Sequence, residues 1–273
     1  MRLAFLNYLC HCKYNFNLNI ITPDLKEFLD EMVVKYNNLK FIETDPVSIP
    51  HLFQRKEDIE ISGFLVATIA WGNRTMILKN GLKLMNLMGN APYEFIMNHT
   101  EDDLDRFDGF VHRTFNQIDL AYFIHALKYI YLNKGGLEPL FAARTTRFST
   151  QPAISYFKQE FFSLPHPERT SKHISDPERG SAAKRINMFL RWMVRNDKHG
   201  VDFGLWNSLS PSQLSCPLDV HSGNVARKLG LLTRTQNDSK ALEELDFNLR
   251  EMDHEDPVKY DFALFGLGVF EKF

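Results

Sequence analysis

An all-α fold is what the sequence predicts, and three observations carry that prediction. Apolar residues recur at three- and four-residue spacing in one segment after another. No stretch alternates apolar and polar residues with the period of two that a half-buried strand requires. Segment ends carry the proline, aspartate and glycine signals that start and stop helices.

In chain order, Thr22-Pro23-Asp24 supplies an N-cap with proline at the first helical position, and Leu25, Phe28, Leu29, Met32, Val33 and Tyr36 then share one face. Asp45-Pro46 and Ile49-Pro50 punctuate a loop. After Asp58-Ile59-Glu60-Ile61, a second helix places Ile61, Phe64, Leu65, Thr68 and Ile69 on its apolar side and breaks at Trp71-Gly72-Asn73-Arg74. A third amphipathic run with Ile77, Leu78, Leu82, Met85 and Met88 follows, so the polar break reads as a turn between two buried helices. Glu101 to Asp108 reads as a solvated loop or helix start. The next helix spans Gln117 to Leu132 and is closed by Gly135-Gly136. Leu137 to Phe162 reads as two helices about a turn near Arg144 to Pro152, and Ser163 to Asp176 as a long connection.

From Pro177 a helix is predicted with Ile186, Phe189, Leu190 and Met193 on one face. Lys184, Arg191 and Arg195 return to one other side, a basic stripe that reads either as a solvated face or as a phosphate-binding one. Val258 to Phe270 is the last predicted helix, and its small residues Ala263, Gly266 and Gly268 allow close backbone approach.

The 273 residues suffice for one large domain or two interlocked lobes. Residues 1–21 read as an N-terminal extension and 22–273 as a single helical unit, with 59–218 as one lobe and 22–58 plus 219–273 as the other. Cys10, Cys12 and Cys216 form neither a disulfide framework nor a Cys-x-x-Cys metal pattern, which fits a reducing cytoplasm. No apolar run reaches the roughly 20 residues of a membrane span. The net charge of −2 hides a segregation: Arg179 to Arg234 is basic, and the chain from Asp238 to Asp256 is acidic.

Cys216-Pro217-Leu218-Asp219-Val220-His221, followed by Ser222 to Gly230, places a carboxylate at the mouth of an amphipathic helix. Asp219 reads as an N-cap or as a charge-stabilising catalytic group, since the dipole and free amides behind it favour the anion. A metal site built on His221 with Asp219, or on Asp253, His254 and Asp256, is a third reading with no helical His pair behind it.

Three landmarks in this order resemble a known superfamily. They are Gly180-x-Ala182-x-Lys184 opening a helix, Leu218-Asp219-Val220-His221 opening a later one, and Phe262-Ala263-Leu264-Phe265-Gly266-Leu267-Gly268 near the end. The pattern is similar to that of the helix-hairpin-helix base-excision DNA glycosylases of the endonuclease III and archaeal 8-oxoguanine glycosylase type. The resemblance implies two helical lobes with a cleft between them, damaged duplex DNA as partner, Lys184 as nucleophile and Asp219 as catalytic carboxylate. It further implies Gly180, Arg185, Arg191, Arg195, Asn73, Arg74 and His221 as DNA-binding residues, with Ala70 to Thr75 matching the turn that fills the gap left by an extruded nucleotide. Ala182 stands where the second hairpin glycine belongs, and no terminal cysteine cluster is present, so no iron–sulfur cofactor is implied. From about Asp45 onward the chain also resembles a bacterial family catalogued only as a domain of unknown function, through Asp58 to Ile61, Ala70 to Arg74 and Asp256 to Phe262. The competing expectation is a non-catalytic DNA- or RNA-binding module that keeps this fold.

Overall fold

The structure is a computed structural model that describes residues 21–273. All of the expected N-terminal extension except Ile21 lies outside the described residues. Helices hold 63 % of the chain and strands 2 %, so the all-α class holds.

Helix α1 (Pro23–Tyr36) starts as expected, with Thr22 Oγ1 accepting the Leu25 amide at 3.2 Å. A short α2 (Leu39–Ile42) and two 3₁₀ turns at Pro46–Ser48 and Pro50–Leu52 lead into α3 (Lys56–Ile69), which is buried almost all round. The break at Trp71 to Asn73 separates α3 from α4 (Arg74–Leu87), and Asn73 Oδ1 caps α4 by accepting the Met76 amide at 3.1 Å. Then come α5 (Pro92–Asn98), a 3₁₀ turn at Asp102–Phe107, and the two-residue strands β1 (Val111–His112) and β2 (Phe115–Asn116), paired antiparallel. The hairpin is too short to show as alternation in the sequence.

Helix α6 (Gln117–Asn133) opens on a capping box in which Asn116 and Asp119 satisfy each other's end of the turn. Helices α7 (Leu137–Ala142) and α8 (Gln151–Phe161) flank the expected turn. The long connection after them holds a 3₁₀ turn at Glu168–His173. Helices α9 (Lys184–Val194) and α10 (Val220–Lys228) follow. The stretch after Asp238, which stands out in the sequence only for its acidic charge, contains α11 (Ser239–Met252), capped by Asp238 and burying Leu242, Leu245, Leu249 and Met252. The final helix begins as a 3₁₀ turn at Pro257–Lys259 and continues as α12 (Tyr260–Phe270).

The buried apolar side chains fall into two clusters. The larger gathers Phe64, Phe123, Phe157, Phe189 and Trp206 around α3, α6, α8 and α9. The smaller joins Leu29 and Val33 of α1 to Leu218, Val225, Leu245 and Leu264 of the C-terminal third. Helix α12 packs on both α1 and α10. Its small residues make this possible: a Cβ on Gly266 would lie 2.2 Å from Tyr36 Cδ2, and one on Gly268 would lie 3.1 Å from the carbonyl oxygen of His221.

Tyr36 cannot yield easily to such a Cβ. Its ring stacks on Phe270 at 5.7 Å and its hydroxyl donates to Glu271 at 2.5 Å. Gly266→Ala is therefore expected to cost about 1–3 kcal/mol by overpacking, read as a lowered midpoint in urea unfolding. An unchanged midpoint would mean that the α1–α12 contact is loose.

Candidate active site

The segment before α9 is shaped by two left-handed residues. Gly180, at φ 85°, ends a 3₁₀ turn at Pro177–Arg179, and Ala183, at φ 44° and ψ 38°, turns the chain into the helix. An alanine in this conformation is held by its surroundings. Its amide donates to Ser181 Oγ at 3.1 Å, and Asn187 Nδ2 donates to the Ala182 carbonyl at 2.9 Å. The carbonyl of Gly180 accepts the Ser239 amide at 3.0 Å, tying this hairpin to the start of α11. Ala182, the departure from the glycine pattern, is buried in the smaller apolar cluster. Its methyl group packs into the core.

Asp219 performs the capping role in full. Its Oδ1 accepts the amides of His221 at 2.8 Å and Ser222 at 3.0 Å, while Ser222 Oγ accepts the Asp219 amide at 2.9 Å. Asn237 Nδ2 adds a bond to the Asp219 carbonyl at 2.8 Å. The other carboxylate oxygen is left for a second task. Asp219 Oδ2 lies 3.8 Å from Lys184 Nζ, and the two side chains are 23 % and 27 % exposed. Lys184 Nζ also lies 3.7 Å from Met188 Sδ, one turn further along α9.

Both groups line a cavity of about 690 Å³. Phe41, Trp71, Ile77 and Phe265 supply apolar wall, and Asp45, Arg74, Arg185, Arg191, His221 and Asp261 join Lys184 and Asp219 as its ionisable lining. The structure thus brings together Lys184, Asp219, Arg185, Arg74, His221 and Arg191 of the residues expected at a site. Asn73 stays exposed beside this cavity as the α4 cap, and Gly180 occupies an exposed turn.

The basic stripe requires a correction. Arg191 and Arg195 are 3 % and 2 % exposed and do not form a phosphate-binding face. Arg191 Nε donates to Asp202 at 3.2 Å and its Nη1 to Asp261; Arg195 pairs with Asp202 at 3.1 Å, Asp256 at 2.8 Å and Asp197 at 2.7 Å. Both guanidinium groups stand over the ring of Phe262, at 4.2 Å and 5.4 Å. The periodicity that puts these side chains on one side of α9 is real, but that side meets carboxylates delivered from distant positions. Asp197 and Asp202 come from the same basic segment, Asp256 from the acidic one and Asp261 from α12.

Two cavity carboxylates went unnoticed in the sequence. Asp45 is 7 % exposed; Oδ1 accepts the Val47 amide at 3.1 Å, Oδ2 lies 3.8 Å from Arg74, and burial raises its carboxyl above the usual range. Asp261 is raised to about 6, chiefly by burial, with the Arg191 charge opposing and the Asp219 charge adding to the rise. A carboxylate inside the apolar run Tyr260 to Leu267 was the available signal for Asp261. For Asp45 the Asp-Pro pair was legible only as a turn.

Among the described residues no group of three or more His, Cys, Asp or Glu side chains is arranged to hold a metal ion. Asp253 accepts Lys259 at 2.6 Å and the amides of Glu255 and Asp256, Asp256 belongs to Arg195, and His254 faces Glu255 at 3.0 Å. No described helix is long and apolar enough to cross a membrane.

Residues 45–270 match the family described as Protein of unknown function (DUF2400). The chain belongs to this family. No curated protein and no solved structure matches the chain. Every residue named here as lining the cavity, except Phe41, falls inside the matched span, so the cavity is built from the family's own domain.

Asp261 gives this family member a pH signature. Its carboxyl rises from 3.8 to about 6 on folding, so between those values the folded chain keeps a proton that the unfolded chain releases. The stability this group contributes is full below about pH 4, falls as pH rises toward 6, and is level above that. Asp261→Asn is expected to reduce the fall in urea midpoint across that interval. An undiminished slope would assign the proton to another carboxylate.

Proposed function

We propose that this chain is a DNA repair glycosylase that excises a damaged base and then cleaves the strand at the abasic site. Lys184 is the nucleophile and Asp219 the carboxylate that assists it. One observation carries the reading: the Lys184 amine and the Asp219 carboxylate, 35 residues apart, meet at 3.8 Å on the wall of one cavity, each at the start of its own helix. Their order, and the Gly180 hairpin before Lys184, resemble the helix-hairpin-helix glycosylases.

The chemistry suits the arrangement. A glycosidic carbon is unreachable inside a duplex, so the damaged nucleotide is flipped into the cavity, whose volume falls within the roughly 300–1,000 Å³ usual for small-ligand sites. Trp71, Phe265 and Phe41 offer apolar and aromatic wall to a planar base. Asp219 Oδ2 accepts a proton from the Lys184 ammonium. The neutral amine then forms a bond to C1′ as the glycosidic bond breaks, and the bonding electron pair leaves with the base, which takes up a proton. Opening of the sugar ring gives an iminium ion between Lys184 and C1′. Loss of a C2′ proton then expels the 3′ phosphate and cleaves the strand. Asp219 hands the lysine proton on to the departing base and, as a carboxylate again, can stabilise the positive charge that develops on the sugar.

Borohydride reduces such an iminium to a stable amine. Incubation with oligonucleotides bearing oxidised, alkylated or deaminated bases is expected to give a covalent protein–DNA adduct on at least one lesion, absent with Lys184→Ala. A chain that binds these duplexes but yields no adduct on any of them is the non-catalytic module instead.

Asp219→Asn separates capping from catalysis, because asparagine caps as well as aspartate does. The expected result is a stability change below about 1 kcal/mol together with a loss of about two orders of magnitude or more in the rate of base release. A rate that falls only as far as the melting temperature does would leave Asp219 with a cap's role alone.

A further inference from the structure

Arg185 differs from the other arginines of α9 in what it faces. Arg191 and Arg195 each meet two or more carboxylates. Arg185, mostly buried and on the cavity wall, has no carboxylate within ion-pair distance among the described residues. Its bonds go to two backbone carbonyls, Nη1 to Thr68 and Nη2 to His173 at 3.1 Å, and its guanidinium carbon stands 4.7 Å over the ring of Trp71. Two of five N–H donors are thereby used, and among the described residues no carboxylate balances the positive charge. Burying a cation without a counter-charge is costly, and this chain avoids it twice elsewhere on the same helix.

The start of α9 compounds the imbalance. Lys184 and Arg185 occupy its first turn, no acidic residue accompanies them, and Ala183 contributes no side-chain cap. A helix N-terminus already carries partial positive charge and favours anions. Of the two cations, Lys184 is compensated by Asp219 and Arg185 is not. Trp71 and the two carbonyls hold the guanidinium plane still, which prepares its fork for a ligand with paired oxygens.

We propose that Arg185 anchors an anion subsite in the cavity that takes two oxygens of a phosphate group, supplied by a nucleic-acid phosphodiester. The identity of the supplier rests on the reading of the cavity as a DNA site; the phosphate chemistry itself stands on Arg185 alone. A phosphodiester held here fixes the strand beside Lys184 and supplies the negative charge that the first turn of α9 lacks. Free inorganic phosphate presents the same oxygens and serves as the second probe.

The test uses the full chain, Arg185→Gln and Arg185→Lys, with inorganic phosphate and with a short duplex carrying a tetrahydrofuran abasic analogue, which cannot react. Glutamine retains amide donors for the Thr68 and His173 carbonyls and removes the charge. Wild-type protein is expected to show a phosphate-dependent rise in melting temperature, and phosphate should compete with the duplex. In Arg185→Gln both effects should vanish, duplex affinity should fall about tenfold or more, and the slope of log affinity against log salt should fall by about one. Arg185→Lys keeps the charge but not the fork and should weaken both probes severalfold; this variant decides the matter if the glutamine variant does not fold. Loss of phosphate binding in the variants, with no duplex binding by any form, supports the subsite and removes the nucleic-acid reading. A trapped adduct on damaged DNA, with phosphate response and salt slope unchanged in both variants, keeps that reading and overturns the subsite. Equal phosphate responses in all three proteins overturn it in every case.

Discussion

The arrangement of the cavity depends on one buried ionic network. Arg191 and Arg195 project from α9 into Asp202, Asp256 and Asp261, with the ring of Phe262 beneath them. Removing one partner from a buried network leaves an uncompensated charge and costs about 3–5 kcal/mol, so α9 cannot slide or turn against α12 without breaking several such contacts together. A well-packed apolar core could match that stability. What the ions add is a defined link between α9 and α12, carried by Arg191 on Asp261 and by the two guanidinium groups over Phe262. Helix α12 passes the link on, because Gly268 lets it approach the backbone of His221, two residues from Asp219. The separation of Lys184 and Asp219 thus depends on these contacts as well as on the capping bonds that Asp219 makes itself.

Much of the fold was legible because its signals are local. The Thr22 cap, the Trp71 to Asn73 break, the Gly135-Gly136 stop and the small residues of α12 each act within a few residues of where they are written. The errors share a single cause, which is that charge was read from its neighbours in sequence. Leu242, Leu245, Leu249 and Met252 carry helical spacing, yet the stretch around them was read only for its acidic charge. Arg191 and Arg195 looked like a surface stripe because Asp256 and Asp261 reach them from far along the chain, and because the turn that brings Asp197 and Asp202 back onto them leaves no periodic signal. Only the folded chain shows which charges meet. At the site, Lys184 and Asp219 were legible as a pair through their motifs, whereas Asp45 and Asp261 become cavity residues by long-range packing.

Capping does not exhaust what Asp219 can do. A carboxylate has two oxygens, and here one is fully committed to the amides of His221 and Ser222 while the other faces Lys184. The cap is what makes the second oxygen useful. Two amides and the Ser222 hydroxyl donate to Oδ1 and hold it, so Oδ2 is aimed by the helix start and not by a freely rotating side chain. The same helix start points its free amides and the positive end of its dipole at this carboxylate.

The alanine in the hairpin bears on the same economy of charge. A glycine at that position would let backbone amides approach a phosphate closely, whereas the Ala182 methyl is buried among Leu29, Leu218 and Leu245. Backbone grip is thereby exchanged for core packing that ties the hairpin to α11. An anion entering this cavity needs another donor set, and the side chain three residues on is the one that offers it. Arg185 is held by carbonyls at Thr68 and His173, stacked on Trp71, and left without a carboxylate on a helix that neutralises its other two arginines. The departure from the glycine pattern and an arginine without a carboxylate thus sit at the same helix start, and the proposed subsite uses a side-chain fork where the resembled hairpins use bare backbone.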